Sequence, residues 1–255
     1  MTTRAPTHAI RNFRAALACY LRVPAALTKY RLWGYQLLPA LFSLLFTTAA
    51  IIAMFRLSGT ASSWAEARWG GWTSLAVAVG VFLVMAVMFL FLHKRVVLIA
   101  LAPFLSRIAE KITRAEYGPQ TGPPMTKWQA FGRSTTINLR SAIIELALTL
   151  PLVIAGFFLF ISPFTSLAIL LISSRYAGNG LMDFPLEYRG LSVRESIAWS
   201  RRHKASAVGI GLGYQVFLMV PVLGWMFAPT FATVAGTLLA IEKDRQNPDG
   251  DDPQL

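Results

Sequence analysis

Charge is scarce in this chain. Of 255 residues, only 14% are Asp, Glu, Lys or Arg, whereas a water-soluble domain carries about a quarter. Cysteine is scarcer still. Cys19 stands alone, so no internal disulfide forms and no thiolate cluster is available for a metal. The three histidines, His8, His93 and His203, are scattered among basic residues. No metal-ligand spacing and no catalytic triad pattern is visible, which disfavours an enzyme. No catalytic residue, metal or other cofactor is expected. Acid is lacking as well: 12 carboxylates face 24 Lys and Arg, for a net charge of +12. The expected N-terminus also lacks a signal-peptide pattern, because arginines interrupt the apolar residues that follow Met1.

What is abundant is hydrocarbon. Hydrophobic residues make up 55% of the chain and mean hydropathy is +0.52. Several apolar runs approach the roughly 20 residues of a bilayer span. The class is therefore an all-α integral membrane protein. The excess of positive charge could point to nucleic acid, but the bases flank the apolar runs, which positive-inside topology explains better. No nucleic-acid partner is expected.

"RNFRAALACYLRVP" interleaves Arg11, Arg14 and Arg22 with Ile10, Phe13, Leu17 and Leu21 at helical spacing. It reads as a basic amphipathic helix on an anionic membrane surface, or as a helix packed on the rest of the protein. Leu37 to Phe55 and Leu75 to Leu92 read as two long spans. The stretch between them, with Trp64, Trp69 and Trp72, reads as an exterior loop at the interfacial belt. From Val96, Leu101, Phe104, Leu105, Ile108 and Ile112 share one face against Arg107, Glu110, Lys111 and Arg114, a second amphipathic helix at the cytoplasmic surface. "GPQTGPP" makes a loop.

Ser141 to Ser174 is uncharged apart from Glu145. As one helix, these roughly 34 residues would extend about 50 Å, too long for one crossing of a core of about 30 Å. Bases at both ends (Arg140, then Arg175, Arg189 and Arg194) place both ends in one compartment. The chain is expected to enter, turn at Ser162-Pro163 and return. A second such hairpin runs from Ala205 to Ile241, broken at Pro221. The expected fold is thus two long transmembrane helices, two proline-broken, partly inserted hairpins and amphipathic interfacial helices. Residues 1–242 form one membrane domain, and 243–255 form a polar acidic tail expected to be disordered. Both termini are expected to be cytoplasmic.

Smaller signals sit on this frame. Gly209 and Gly213, and separately Ala228, Ala232, Gly236 and Ala240, are spaced for close helix packing. Thr230, Thr233 and Thr237 either line a polar path or bond the carbonyl one turn back. Glu145 is either a functional intramembrane acid or the partner of a nearby base such as Arg140. Gly178-Asn179-Gly180 reads as a turn. Ser192 and Glu195 have capping-box spacing. Arg201, Arg202 and Lys204 mark the cytoplasmic side or gather anions at a pore mouth.

"DFPLEYRGLS", the basic helix after it, the glycine-rich arm and "VPVLGWMFAPTFATVAGTLLA" resemble the C-terminal half of the CysZ/etoposide-induced protein 2.4 family. "LLPALFS" and "LAPFLSRIAEKI" are similar too, so the resemblance runs from about Phe13 to Glu242. It implies a bacterial inner-membrane permease for sulfate or a related oxyanion, feeding cysteine synthesis. It also implies a homo-oligomer in lipid, with a fold like the one above. CysZ members carry a Gly-Leu-Arg element before the first span. Here Leu32 matches the Leu, while Arg31 and Trp33 stand where Gly and Arg would be. The residues assigned to substrate on this reading are Arg31, Leu32, Glu145, Asp183, Arg189, Arg201 and Arg202. A non-transporting membrane scaffold or assembly factor is the alternative.

Overall fold

The computed structural model describes residues 5–118, 126–156, 162–220 and 222–246. Among these, eight helices form and no strand does. They are α1 (Ala5–Lys29), α2 (Trp33–Trp69), α3 (Gly71–Tyr117), α4 (Lys127–Ala155), α5 (Ser162–Tyr188), α6 (Val193–Arg202), α7 (Lys204–Leu218) and α8 (Leu223–Gln246). Among the described residues, three stretches are long and apolar enough to cross a bilayer: α2, Phe131–Ala155 of α4, and α8. The "GPQTGPP" loop and Pro221 lie largely or wholly outside the described residues.

The two spans are longer and less interrupted than their sequence suggests. The tryptophan-rich stretch is helix, not loop. Its hydroxyls bond back along the helix, Thr60 to the Arg56 carbonyl at 3.0 Å and Ser63 to the Gly59 carbonyl at 3.1 Å. The chain reverses only at Gly70, whose φ of 97° suits a residue without Cβ. The amphipathic segment from Val96 is likewise continuous with the second span. Helix α3 runs 47 residues, about 70 Å at 1.5 Å per residue. Its apolar face does not lie on the membrane surface. Leu98, Leu101, Leu105, Ile108 and Ile112 are buried in the protein core.

The first short hairpin is also shifted. Ser162 and Pro163 open α5 rather than forming the turn. Proline is tolerated there because the first helical amides have no intrahelical partner. The residues between Gly156 and Ser162 lie outside the described set. The return arm is 27 residues long, because Gly178-Asn179-Gly180 is helix and not a turn. That glycine pair admits neighbours. A Cβ on Gly178 would lie 1.9 Å from the Ala207 carbonyl oxygen of α7, and one on Gly180 would lie 2.8 Å from Asn138 Oδ1 of α4. Helix α6 starts with the expected capping box: Ser192 Oγ accepts from the Glu195 amide at 3.3 Å and Glu195 accepts from the Ser192 amide at 2.6 Å. Helix α8 runs past the expected domain end at 242 to Gln246.

The small-residue stripes pack as their spacing predicts. Gly209 and Gly213 of α7 meet Ala16 and the Tyr20 ring of α1. Gly236 of α8 meets the Leu181 carbonyl of α5. In α1 the packed reading prevails on the face of Ala16, Cys19, Tyr20, Val23 and Leu27, which is buried against α7 and α8. Ile10 and Leu21 are exposed.

The tip of α8 packs Trp225 against Phe89 and His93 of α3. Phe89 is 18 residues from the start of α3, so the α2–α3 hairpin extends about 27 Å further. At the opposite end, charged residues gather the chain ends. Arg22 of α1 meets Glu242 at 3.0 Å and Lys243 reaches Asn12 at 2.6 Å. Glu116 of α3 binds both Lys29, at 2.8 Å, and Arg245, at 2.6 Å. The Lys29 and Tyr30 hydrogen bonds hold the Glu116 carboxyl down at about 2. These contacts put α1 and the end of α8 on one side. With the surrounding bases, that side is expected to be the cytoplasm. A cytoplasm-dependent reporter fused at Leu255 should be active, and a Ser62→Cys variant should be labelled by an impermeant thiol reagent from outside. A silent reporter together with an unlabelled Ser62→Cys would reverse the orientation.

Candidate functional site

Helices α4, α5 and α6 enclose a cleft of about 120 Å³. It has room for several waters or one small oxyanion. Residues of all three helices supply the wall, and each helix contributes one base. Arg140 beside Ser141 comes from α4, Arg175 beside Tyr176 and Asn179 from α5, and Arg201 beside Ser200 from α6. None of these three arginines has a carboxylate partner among the described residues. Arg175 is half-buried, lies 5.8 Å from the Tyr176 ring centroid, and leaves its buried Nε without a partner there.

The one acid on the wall is already neutralised. Asp183 is buried and takes a two-pronged contact from buried Arg133: Nε to Oδ2 at 3.0 Å and Nη2 to Oδ1 at 2.7 Å. Arg133 also donates to Ser196 Oγ at 2.7 Å and to the Leu191 carbonyl at 2.5 Å. One guanidinium therefore ties α4, α5 and α6 together and shapes the cleft. Below it, Glu187 accepts from Ser106 at 3.1 Å. Among the described residues, no free carboxylate faces the three arginines, which favours an anion.

The sequence-assigned residues divide among several places. Asp183 and Arg201 line the cleft. Arg189 instead pairs with Asp244 at 2.8 Å, and Arg202 is exposed at the end of α6. Arg31 and Leu32 form the elbow between α1 and α2. Arg31 is exposed with φ 53°, whereas Leu32 is fully buried. Glu145 is buried and bonded to Arg95 of α3, while Ser173 of α5 donates to it at 2.8 Å. Its base is therefore Arg95, not Arg140. Arg140 and Arg175 carry no motif, and their sequence signal is only that they flank apolar runs.

No curated protein matches the chain. A family description does: residues 19–229 match Sulfate transporter CysZ/Etoposide-induced protein 2.4. That match spans most of the helices described above, including α2 to α7 and all three walls of the arginine cleft. This all-helical chain, with its bilayer-length apolar helices, belongs to the CysZ/etoposide-induced protein 2.4 family.

Proposed function

We propose that the protein is a membrane permease or channel for sulfate or a related oxyanion, and that the Arg140–Arg175–Arg201 cleft collects the anion. The observation that carries this reading is three guanidinium groups on one small cavity whose one carboxylate among the described residues, Asp183, is taken by Arg133. Guanidinium groups donate in a planar fork that matches oxyanion geometry. The hydroxyls and amide of Ser141, Ser200 and Asn179 add neutral hydrogen-bonding capacity on the same wall. Arg31, exposed at the α1–α2 elbow, extends the same attraction along the basic face. A homo-oligomer in the bacterial inner membrane belongs to this reading.

Sulfate flux into proteoliposomes tests it. A charged hydrogen bond to a dehydrated oxyanion contributes about 1.5–3 kcal/mol, so Arg175→Gln should lower flux or binding about tenfold or more. Arg31→Ala is expected to weaken it in the same direction. Arg107→Ala removes an exposed base of α3 and should change little, since a surface charge in salt contributes well under about 1 kcal/mol. All variants are compared at equal membrane expression. Should the wild type move no sulfate, selenate or thiosulfate, the scaffold reading replaces this one. Equal flux in Arg175→Gln and wild type would remove the cleft from the mechanism.

A further inference from the structure

Away from the arginine cleft, the inward face of α2 is polar. Gln36, Ser43 and Thr47 are buried on one stripe, with Ala40 between them. Their neighbours Leu37, Leu41, Leu44 and Leu45 are exposed, facing outward. Thr47 Oγ1 lies 3.3 Å from Nε2 of buried His93 on α3. The His93 ring is caged by Phe46, Phe89 and Trp225, at centroid distances of 5.7, 5.0 and 5.8 Å. Helix α8 packs against α2 and α3 and runs from Trp225 back toward the Gln36 end of α2. Thr230 lies along this stretch and is fully buried.

Several of these groups have nothing to bond. Both amide atoms of Gln36, Ser43 Oγ and Thr230 Oγ1 are buried without a partner among the described residues. The threonines that follow are satisfied: Thr233 donates to the Pro229 carbonyl and Thr237 to the Thr233 carbonyl, each at 2.8 Å. Leaving a polar group unpaired in an apolar interior costs on the order of 1–3 kcal/mol. Four unpaired atoms on two helices that pack together would be a heavy penalty in a protein that must also reside in lipid. Water satisfies such groups where the site is polar and each molecule finds several partners. The Gln36 end is one residue from Tyr35, whose ring carries Lys111 at 4.3 Å, so it lies toward the charged side of the protein.

We propose that the α2–α3–α8 seam is a hydrated half-channel, entered from the Gln36 end and closed by the aromatic cage around His93. Water fills it and bonds Gln36, Ser43 and Thr230. Gln36 to Thr47 spans 11 residues, about 16 Å, roughly half of a bilayer core of about 30 Å. The seam is built from other helices than the arginine cleft, and its hydration does not depend on the protein carrying sulfate.

Cysteine reactivity tests it, because a thiol reacts as its thiolate and ionises poorly without water. Cys19 is buried, and burial followed by the Glu242 charge pushes its thiol up to about 11. The wild-type chain is therefore the blank. Ser43→Cys, Thr230→Cys, Leu41→Cys and Leu45→Cys are each placed in lipid nanodiscs with a small cationic methanethiosulfonate. Although Leu41 and Leu45 are on the outer surface, they face lipid and should be slow. Ser43→Cys and Thr230→Cys should react at least about tenfold faster, the factor that one unit of thiol pKa produces in thiolate. Thr230→Val gives a second reading. In a wet seam it removes a hydrogen-bonded hydroxyl and should lower Tm, while in a dry one it removes an unpaired hydroxyl and should raise Tm. Labelling of either seam position no faster than Leu41→Cys, or a raised Tm for Thr230→Val, overturns the proposal.

Discussion

Asp183→Ala is expected to cost about 3–5 kcal/mol of stability, the usual cost of stranding one partner of a buried ion pair. Arg133 and Asp183 are both buried, and the guanidinium spends its donors on Asp183, Ser196 and the Leu191 carbonyl. Without the carboxylate, a full positive charge stays inside with two neutral acceptors. Thermal unfolding in detergent should show the loss. The mirror variant Arg133→Met should cost a similar amount, because it leaves the Asp183 carboxylate unpaired. The double variant Arg133→Met/Asp183→Leu should recover most of it, since apolar replacement of a whole buried pair is often neutral. A strongly positive coupling in this cycle marks the clamp. Simple additivity of the two losses would mean that the residues act separately, against the geometry.

Gly178→Ala and Gly211→Ala should each destabilise the fold by at least the roughly 1–3 kcal/mol that overpacking costs. A Cβ on Gly211 would lie 1.7 Å from the Ser174 carbonyl oxygen, and one on Gly178 would lie 1.9 Å from that of Ala207. Both obstacles are backbone, which a rotamer change cannot relieve. Helices α5 and α7 would have to separate, loosening the α5 wall of the cleft. Gly59→Ala is the control: it lies in α2 with nothing within 4 Å of the added carbon. There alanine should stabilise by about 0.5–1 kcal/mol through lower unfolded-state entropy. Monodisperse, wild-type-like Gly178→Ala protein would show that the close α5–α7 crossing is not required.

The helix-packing glycines were partly legible and partly not. Gly209 and Gly213 follow a four-residue spacing that any helix turns into one face, and they meet α1. Gly178 looks like turn chemistry beside Asn179 and Gly180, because the same residue that permits a turn also permits a close crossing. Only α7 lying across α5 decides between them. The tryptophan-rich stretch failed similarly. Its serines, threonine and glycines read as loop, yet in a helix packed against α3 their hydroxyls bond the preceding turn.

The cleft shows the same division more sharply. Arg140, Arg175 and Arg201 each read as a base at the end of an apolar run, a meaning tied to topology. Their convergence depends on the crossing of three helices, since Arg175 lies 35 positions after Arg140 and Arg201 lies 26 after Arg175. Glu145 is the counterpart. It is the one acid in its run, and its nearest base in sequence is Arg140. Its actual base, Arg95, is 50 residues away on α3.

By itself the amino-acid sequence determined the helical membrane class, the cap of α6 and the small-residue stripes of α7 and α8. Each of these follows from composition or from a period of a few residues, which local backbone geometry converts directly into structure. The tertiary structure alone decided where helices continue through ambiguous residues, which charges are neutralised and which are left facing a cavity. Those outcomes depend on distances between helices remote in sequence, and a charge pays its desolvation only against the partner that packing brings within a few ångströms.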